Sequence, residues 1–137
     1  MYPKYHIVFG FLFSFLIYFL FPETTLIEAG IIFLSSFLID IDHYFIYVFR
    51  KKDWNPFNAV KWNYDLTKKM LSLTRKKRNE VKGGLCFLHG FEILIILLIL
   101  GFLVSKYFFF VFIGFTFHLA LDIIYEPFYW DRIDRIS

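Results

Sequence analysis

Four apolar runs, residues 5–21, 26–49, 85–104 and 107–125, take up most of this 137-residue chain and leave it few ways to fold. Each has roughly the 17–25 residues that an α-helix needs to cross a hydrocarbon core. Hydrophobic residues make up 58% of the chain and aromatic residues 24%. A water-soluble domain of this length has too little interior for so much apolar side chain, so lipid is the expected solvent for much of it. The length suits one domain, residues 1–137, and not two.

Short polar signals separate the runs. Phe21-Pro22-Glu23 breaks the first. Thr25 followed by Glu28 is a capping-box pattern that would start the second, and Arg50-Lys51-Lys52 ends it. Gly83-Gly84 opens the third, Ser105-Lys106 is a tight connection, and Glu126-Pro127 should stop the fourth. Lys4 gives the first run the charged end of a signal peptide. No small-x-small cleavage site follows, however, so the run is read as a helix that keeps His6.

Positive charge is concentrated between the second and third runs. Arg50, Lys51, Lys52, Lys61, Lys68, Lys69, Arg75, Lys76, Lys77, Arg78 and Lys82 lie in residues 50–84, against Asp53, Asp65 and Glu80. In a chain this apolar, such a segment reads as a cytoplasmic loop beside anionic lipid head groups, in preference to a specific nucleic-acid site. Asn55-Pro56 is a good helix start. Phe57, Val60 and Tyr64, then Leu66, Met70 and Leu73, recur at helical spacing. Residues 56–79 are therefore expected as a basic amphipathic helix on the membrane surface, the competing reading being a solvated linker. The expected fold is all-α: an integral four-helix bundle of the cytoplasmic membrane, with an additional amphipathic surface helix between helices two and three. The charge rule places both termini in the cytoplasm.

The ionisable residues inside the apolar runs then stand out. All four histidines, His6, His43, His89 and His118, fall there, with Asp40 and Asp42 near His43, Glu92 near His89 and Asp122 near His118. A charged side chain near a bilayer centre costs roughly 2.5–3.5 kcal/mol on insertion scales, so such a set must face inward and find partners. Asp40 and His43, and His89 and Glu92, are three apart; His118 and Asp122 are four apart. On a helix each pair shares one face. Asp42 is turned away by about 100° and should meet a neighbouring helix or support an imidazole from behind. The topology brings all four histidines to the cytoplasmic side, most of them roughly 5–15 Å inside the helix ends. Imidazole and carboxylate without thiolate suit zinc, iron or manganese, and the lone Cys86 excludes a cysteine-rich site. Paired His-x-x-carboxylate motifs are also how helical bundles house dinuclear centres.

At these residues the chain resembles the LexA-regulated, membrane-bound metal-dependent hydrolases, a predicted family distantly similar to zinc-dependent phospholipase C and its related nucleases. The resemblance rests on the early His6, on Asp40-Ile41-Asp42-His43, on His89 opening the third helix, and on His118-x-x-x-Asp122. It covers most of the chain apart from the basic loop. The family typically carries His-Arg-Gly-x-Thr-His-Ser before its third helix. With His89 as the second histidine of that motif, Gly84 stands at the first and Gly90 at the serine, and Glu92 is the candidate substitute for the missing ligand. The resemblance implies a hydrolase of phosphoester bonds with a divalent metal, zinc first and manganese or iron next, acting on a lipid or another anionic, phosphate-containing substrate at the membrane. It implies His43, His89, His118 and Asp122 as direct ligands and His6 and Asp40 at the margin. Asp42 is then the general base or the orienter of an imidazole. The competing class is a non-enzymatic membrane protein: a metal or proton conductor, or a structural bundle with a degenerate site.

Overall fold

A computed structural model of the chain describes residues 3–73 and 87–130. Among these residues every regular element is helical: α1 (Pro3–Leu20), α2 (Leu26–Leu38), α3 (Ile41–Lys51), α4 (Pro56–Ser72), a 3₁₀ turn at Phe87–His89, α5 (Phe91–Leu103) and α6 (Tyr107–Trp130). Residues 26–51 and 107–124 each form a helical stretch long and apolar enough to cross a membrane, while the apolar α1 and α5 are shorter. The Gly84 position of the expected motif, and the part of the basic segment beyond Leu73, lie outside the described residues.

α2 packs against both α1 and α6, α5 packs against α6, and α3 against α4. Small residues set the closeness of the first two contacts. A Cβ on Gly10 of α1 would stand 2.1 Å from Ser36 Oγ, and one on Gly114 of α6 would stand 2.0 Å from Ser35 Oγ and 2.6 Å from the Ile32 carbonyl. The two serine hydroxyls stay satisfied inside this contact by bonding back to their own helix, Ser35 to the Ile31 and Ile32 carbonyls and Ser36 to Phe33. Gly, Ser and Ala at such positions let helix backbones approach where apolar bulk would hold them apart.

At the start of α2 the capping box is present. Thr25 Oγ1 accepts the Glu28 N–H at 3.3 Å, and Glu28 Oε2 accepts the Thr25 N–H at 2.7 Å. The same carboxylate takes Lys106 Nζ at 2.8 Å, which raises the lysine's pKa and ties the α5–α6 connection to this end.

The second apolar run departs from the single helix expected over 26–49: it breaks at Ile39 and Asp40. The Asp40 N–H turns to the Phe37 carbonyl at 3.2 Å and the His43 N–H to the Asp40 carbonyl at 3.0 Å, both three residues back. This tightened turn releases the Ser36 carbonyl, which an unbroken α-helix would have bonded to Asp40. α3 ends at Lys52 in the left-handed region (φ 56°). Asp53 then accepts from the Tyr47 hydroxyl, the Asn55 N–H and Asn58 Nδ2, and these bonds hold its carboxyl below the usual range. Asn55 Oδ1 accepts the Phe57 N–H, so α4 starts at Asn55-Pro56 as its sequence suggests. Ala59 and Trp62 pack on Tyr47 and Val48 of α3, while Phe57, Val60 and Tyr64 lie on the exposed side.

α5 is shorter than the expected run over 85–104. Gly90 is extended (φ −84°, ψ 150°) and delays the helix to Phe91. α6 runs on through Glu126-Pro127 to Trp130, where a stop was expected. A proline inside a helix removes one hydrogen bond without having to end it, and here the bond forgone is the one to Ile123.

Candidate metal centre

Five segments deliver side chains to one point at the far end of α2 from Thr25. They are the first turns of α1 (His6), the α2–α3 break (Asp40), the start of α3 (Asp42 and His43), the 3₁₀ turn before α5 (His89) and the later turns of α6 (His118 and Asp122). Ligand-type atoms of His6, His118 and Asp122 lie within 4.8 Å of one another, and so do those of Asp40, His43 and His89. The two sets adjoin. Asp40 Oδ1 is 3.6 Å from Nε2 of His43, of His89 and of His118 alike. Asp122 places Oδ1 3.3 Å from His6 Nε2 and Oδ2 3.2 Å from His118 Nε2 and 4.0 Å from His89 Nε2.

Two of the rings are fixed from behind. His118 Nδ1 donates to the released Ser36 carbonyl at 2.8 Å. His89 Nδ1 donates to Asp42 Oδ2 at 2.9 Å, and the Leu88 N–H reaches the same oxygen at 3.3 Å. A carbonyl and a carboxylate only accept, so whenever either ring is neutral its proton sits on Nδ1 and its lone pair on Nε2. Both Nε2 atoms are buried and have no hydrogen-bond partner, as are His6 Nδ1 and Asp42 Oδ1. Leaving buried polar atoms unpaired costs about 1–3 kcal/mol each. The nearest acceptors to the two Nε2 atoms are carboxylate oxygens, Asp122 Oδ2 at 3.2 Å from His118 and Asp40 Oδ1 at 3.6 Å from His89.

The donor set fits a divalent cation. Ligands bonded at about 2.0–2.1 Å around a tetrahedral ion stand roughly 3.3 Å apart, and the spacings here fall close to that figure. Most are too long for hydrogen bonds between the groups themselves. Imidazole rings held at Nδ1 by a carboxylate or a backbone carbonyl are the usual support behind metal-ligating histidines.

Set against the sequence reading, the structure brings together His6, Asp40, His43, His89, His118 and Asp122 and leaves Glu92 out. The pairing of His89 with Glu92 assumed one continuous helix, but extended Gly90 separates them. Glu92 is exposed on the first turn of α5, its carboxylate folded back over Gly90. The order of centrality also changes. Asp40 and His6, expected at the margin, are the shared oxygen and a side chain only 1% exposed, the latter stacked on His118 at 3.9 Å. His43 is the outlying member, 42% exposed. Asp42, left open between base and orienter, has Oδ2 committed to His89 and Leu88. The Ser36 carbonyl was missed altogether, because a backbone acceptor leaves no mark in a list of side chains; the Ser35-Ser36 pair within an apolar run was the only hint. Comparison with family models, with curated proteins and with solved structures finds no match to the chain.

Proposed function

We propose that the chain is an integral membrane protein whose cytoplasmic-side His/Asp centre binds divalent metal and hydrolyses phosphoester bonds of a lipid or other membrane-proximal substrate. The observation that carries the reading is the pair of buried Nε2 atoms of His89 and His118, each ring fixed from behind and aimed, without a hydrogen-bond partner, beside Asp40 and Asp122. Each set offers two imidazoles and one carboxylate, fewer protein ligands than zinc or manganese fills, and open positions distinguish catalytic from structural sites. The resemblance to the membrane-bound metal-dependent hydrolases supports the same class.

A divalent ion held there supplies a Lewis acid for a phosphoryl oxygen and acidifies water. The chain's own residues do the rest. His6, His118 and Asp122, with Asp40, His43 and His89, bind. Asp42 and the Ser36 carbonyl hold two imidazoles in the orientation and tautomer that binding needs. Asp42 thus acts as a positioning residue and not as the general base: its Oδ2 is taken by His89 Nδ1 and the Leu88 N–H, and its Oδ1 is buried. Lys61, Lys68 and Lys69 on α4 supply positive charge that attracts an anionic substrate.

The membrane reading is supported by the two long apolar stretches and by rows of exposed Phe and Leu. Phe11, Phe15 and Phe19 on α1 and Phe102 and Leu103 on α5 are examples, on a scale soluble monomers rarely show. The Glu28–Lys106 ion pair joins the two short connections at one end, and the His/Asp centre lies at the other with α3 and the basic α4. The positive-inside rule then orients that end, and both termini, towards the cytoplasm. The test is a panel of phosphodiesters, phosphomonoesters and phospholipids offered to the purified protein with zinc, manganese or iron. Turnover that a chelator removes is expected. A metal-loaded protein inert to the whole panel would overturn the enzymatic reading.

A further inference from the structure

We infer that α4 lies in the head-group layer of an anionic lipid surface, with its uncovered apolar stripe inserted towards the acyl chains and Lys61 and Lys68 holding acidic head groups. This rests on the membrane reading above and is independent of the metal centre. It adds the depth of α4, its rotation about its own axis and the class of lipid it meets.

The helix has two apolar sides, and only one is covered. Ala59 and Trp62 pack on Tyr47 and Val48 of α3. On the opposite side Phe57 is 83% exposed, Val60 65% and Tyr64 52%, and Trp54, just before the helix, is 70% exposed. At about 100° per residue, Phe57, Val60 and Tyr64 fall within about 60° of one another, and exposed Lys61 and Lys68 border them. Asn58, Asp65 and Lys69, also exposed, form a separate polar side. Packing on α3 gives no use to the second apolar stripe. A helix in a lipid interface needs such a stripe, edged with lysine, and a polar side turned to water.

The height of α4 follows from its connection to α3. The apolar stretch long enough to cross a membrane ends at Lys51, and α4 begins at Pro56. The link between them is held by the Tyr44 hydroxyl on the Trp54 carbonyl at 2.7 Å and by Asn58 Nδ2 on Asp53 at 2.8 Å. Ala59 and Trp62 meet α3 at Tyr47 and Val48, roughly 4.5–6 Å back from Lys51 along the helix axis. The first two turns of α4 therefore stand beside the last turns of the spanning stretch, where head groups meet acyl chains. Interfacial helices bury their apolar side about 5–10 Å at this level, and Trp and Tyr gather there, as Trp54 and Tyr64 do. Charge selects the occupant. A second copy of the chain would set lysine against lysine across the stripe, whereas an anionic leaflet supplies the opposite sign.

Spin labels on α4 test this. The full chain with Cys86→Ser receives one new cysteine, by Val60→Cys on the apolar stripe or Asp65→Cys on the polar side. Each labelled protein is reconstituted in vesicles of phosphatidylcholine alone or of an equal mixture with phosphatidylglycerol, with far-ultraviolet circular dichroism as the check on folding. In the mixed vesicles the Val60 label should collide several-fold more with oxygen, which dissolves among acyl chains, than with a water-soluble nickel chelate. The Asp65 label should show the reverse. Salt at about 1 M, where the Debye length falls to about 3 Å, should raise nickel access at Val60 at least about threefold. Lys61→Glu with Lys68→Glu should do the same, and Lys61→Gln with Lys68→Gln should give part of that shift. A Val60 label in water in the mixed vesicles would overturn the inference, as would one shielded from both reagents by a second copy or another protein. A Val60 position indifferent to salt, to the lysines and to lipid charge would overturn it too, as would a label covered only when an oligonucleotide is added. A chain that does not enter vesicles at all would instead overturn the membrane reading beneath it.

Discussion

The two ends of α2 bury charge in opposite ways. At the Thr25 end, Glu28 is almost fully covered, but its oxygens are used: Oε2 accepts from the Thr25 backbone and hydroxyl, and Oε1 accepts from Lys106. At the Asp40 end, carboxylates and imidazoles crowd together with Nε2 of His89 and His118 left without hydrogen bonds. The first arrangement is a latch complete in itself. The second is incomplete, and incomplete in the direction that a cation would satisfy. Burial of a charged group is thus a poor guide to function, and the state of its remaining lone pairs is a better one.

Substitutions that act on one end and spare the other test that contrast. His118→Ala removes a candidate ligand at the centre of the cluster and should abolish stoichiometric zinc binding and all chelator-sensitive turnover. Metal analysis and the activity panel read both. Asp42→Asn leaves every direct ligand in place but exchanges the carboxylate behind His89 for an amide that can present its N–H₂ to the ring. Metal affinity should fall about 10–100-fold with turnover following metal occupancy. Turnover lost at full occupancy would instead restore Asp42 to the role of base.

Smaller effects are expected away from the ligands. Gly114→Ala drives a methyl into Ser35 and the Ile32 carbonyl, so α6 must shift from α2. Overpacking of this kind costs about 1–3 kcal/mol in stability, and it should also loosen metal binding, because His118 rides on the displaced helix. Thr25→Ala removes the cap at the latch end and should cost about 1 kcal/mol in thermal or denaturant unfolding. Zinc binding should not change, and a loss of zinc in this variant would show that the two ends are not independent.

Much of the architecture was legible beforehand, for reasons that lie within short stretches of chain. The apolar runs, the Thr25–Glu28 capping box and the Asn55-Pro56 helix start are local signals, and each has its counterpart in the structure. The candidate ligands were legible too, because ionisable residues in apolar runs are costly and therefore conspicuous. What was not legible depends on contacts between distant parts. Hydropathy runs unbroken through Ile39, so nothing local announces the turn at Asp40; the partner that makes use of the freed Ser36 carbonyl is His118, on another helix. Glu92 was misplaced because spacing arguments assume a continuous helix, and extended Gly90 breaks it. The central positions of Asp40 and His6 follow from how closely α1 and α6 approach α2. Gly10 and Gly114 set that distance, and neither glycine marks it in the sequence.

The central claim is that imidazoles and carboxylates from five segments bind metal together. X-ray absorption at the zinc edge, on the zinc-loaded wild-type protein beside His118→Ala, tests it most directly. The account predicts nitrogen and oxygen neighbours only, at about 2.0–2.1 Å, with the multiple-scattering signature of about two imidazoles per ion and no sulfur. That signature should weaken sharply in the variant. Zinc surrounded by water alone, a sulfur neighbour from Cys86, or spectra identical in the two proteins would contradict it.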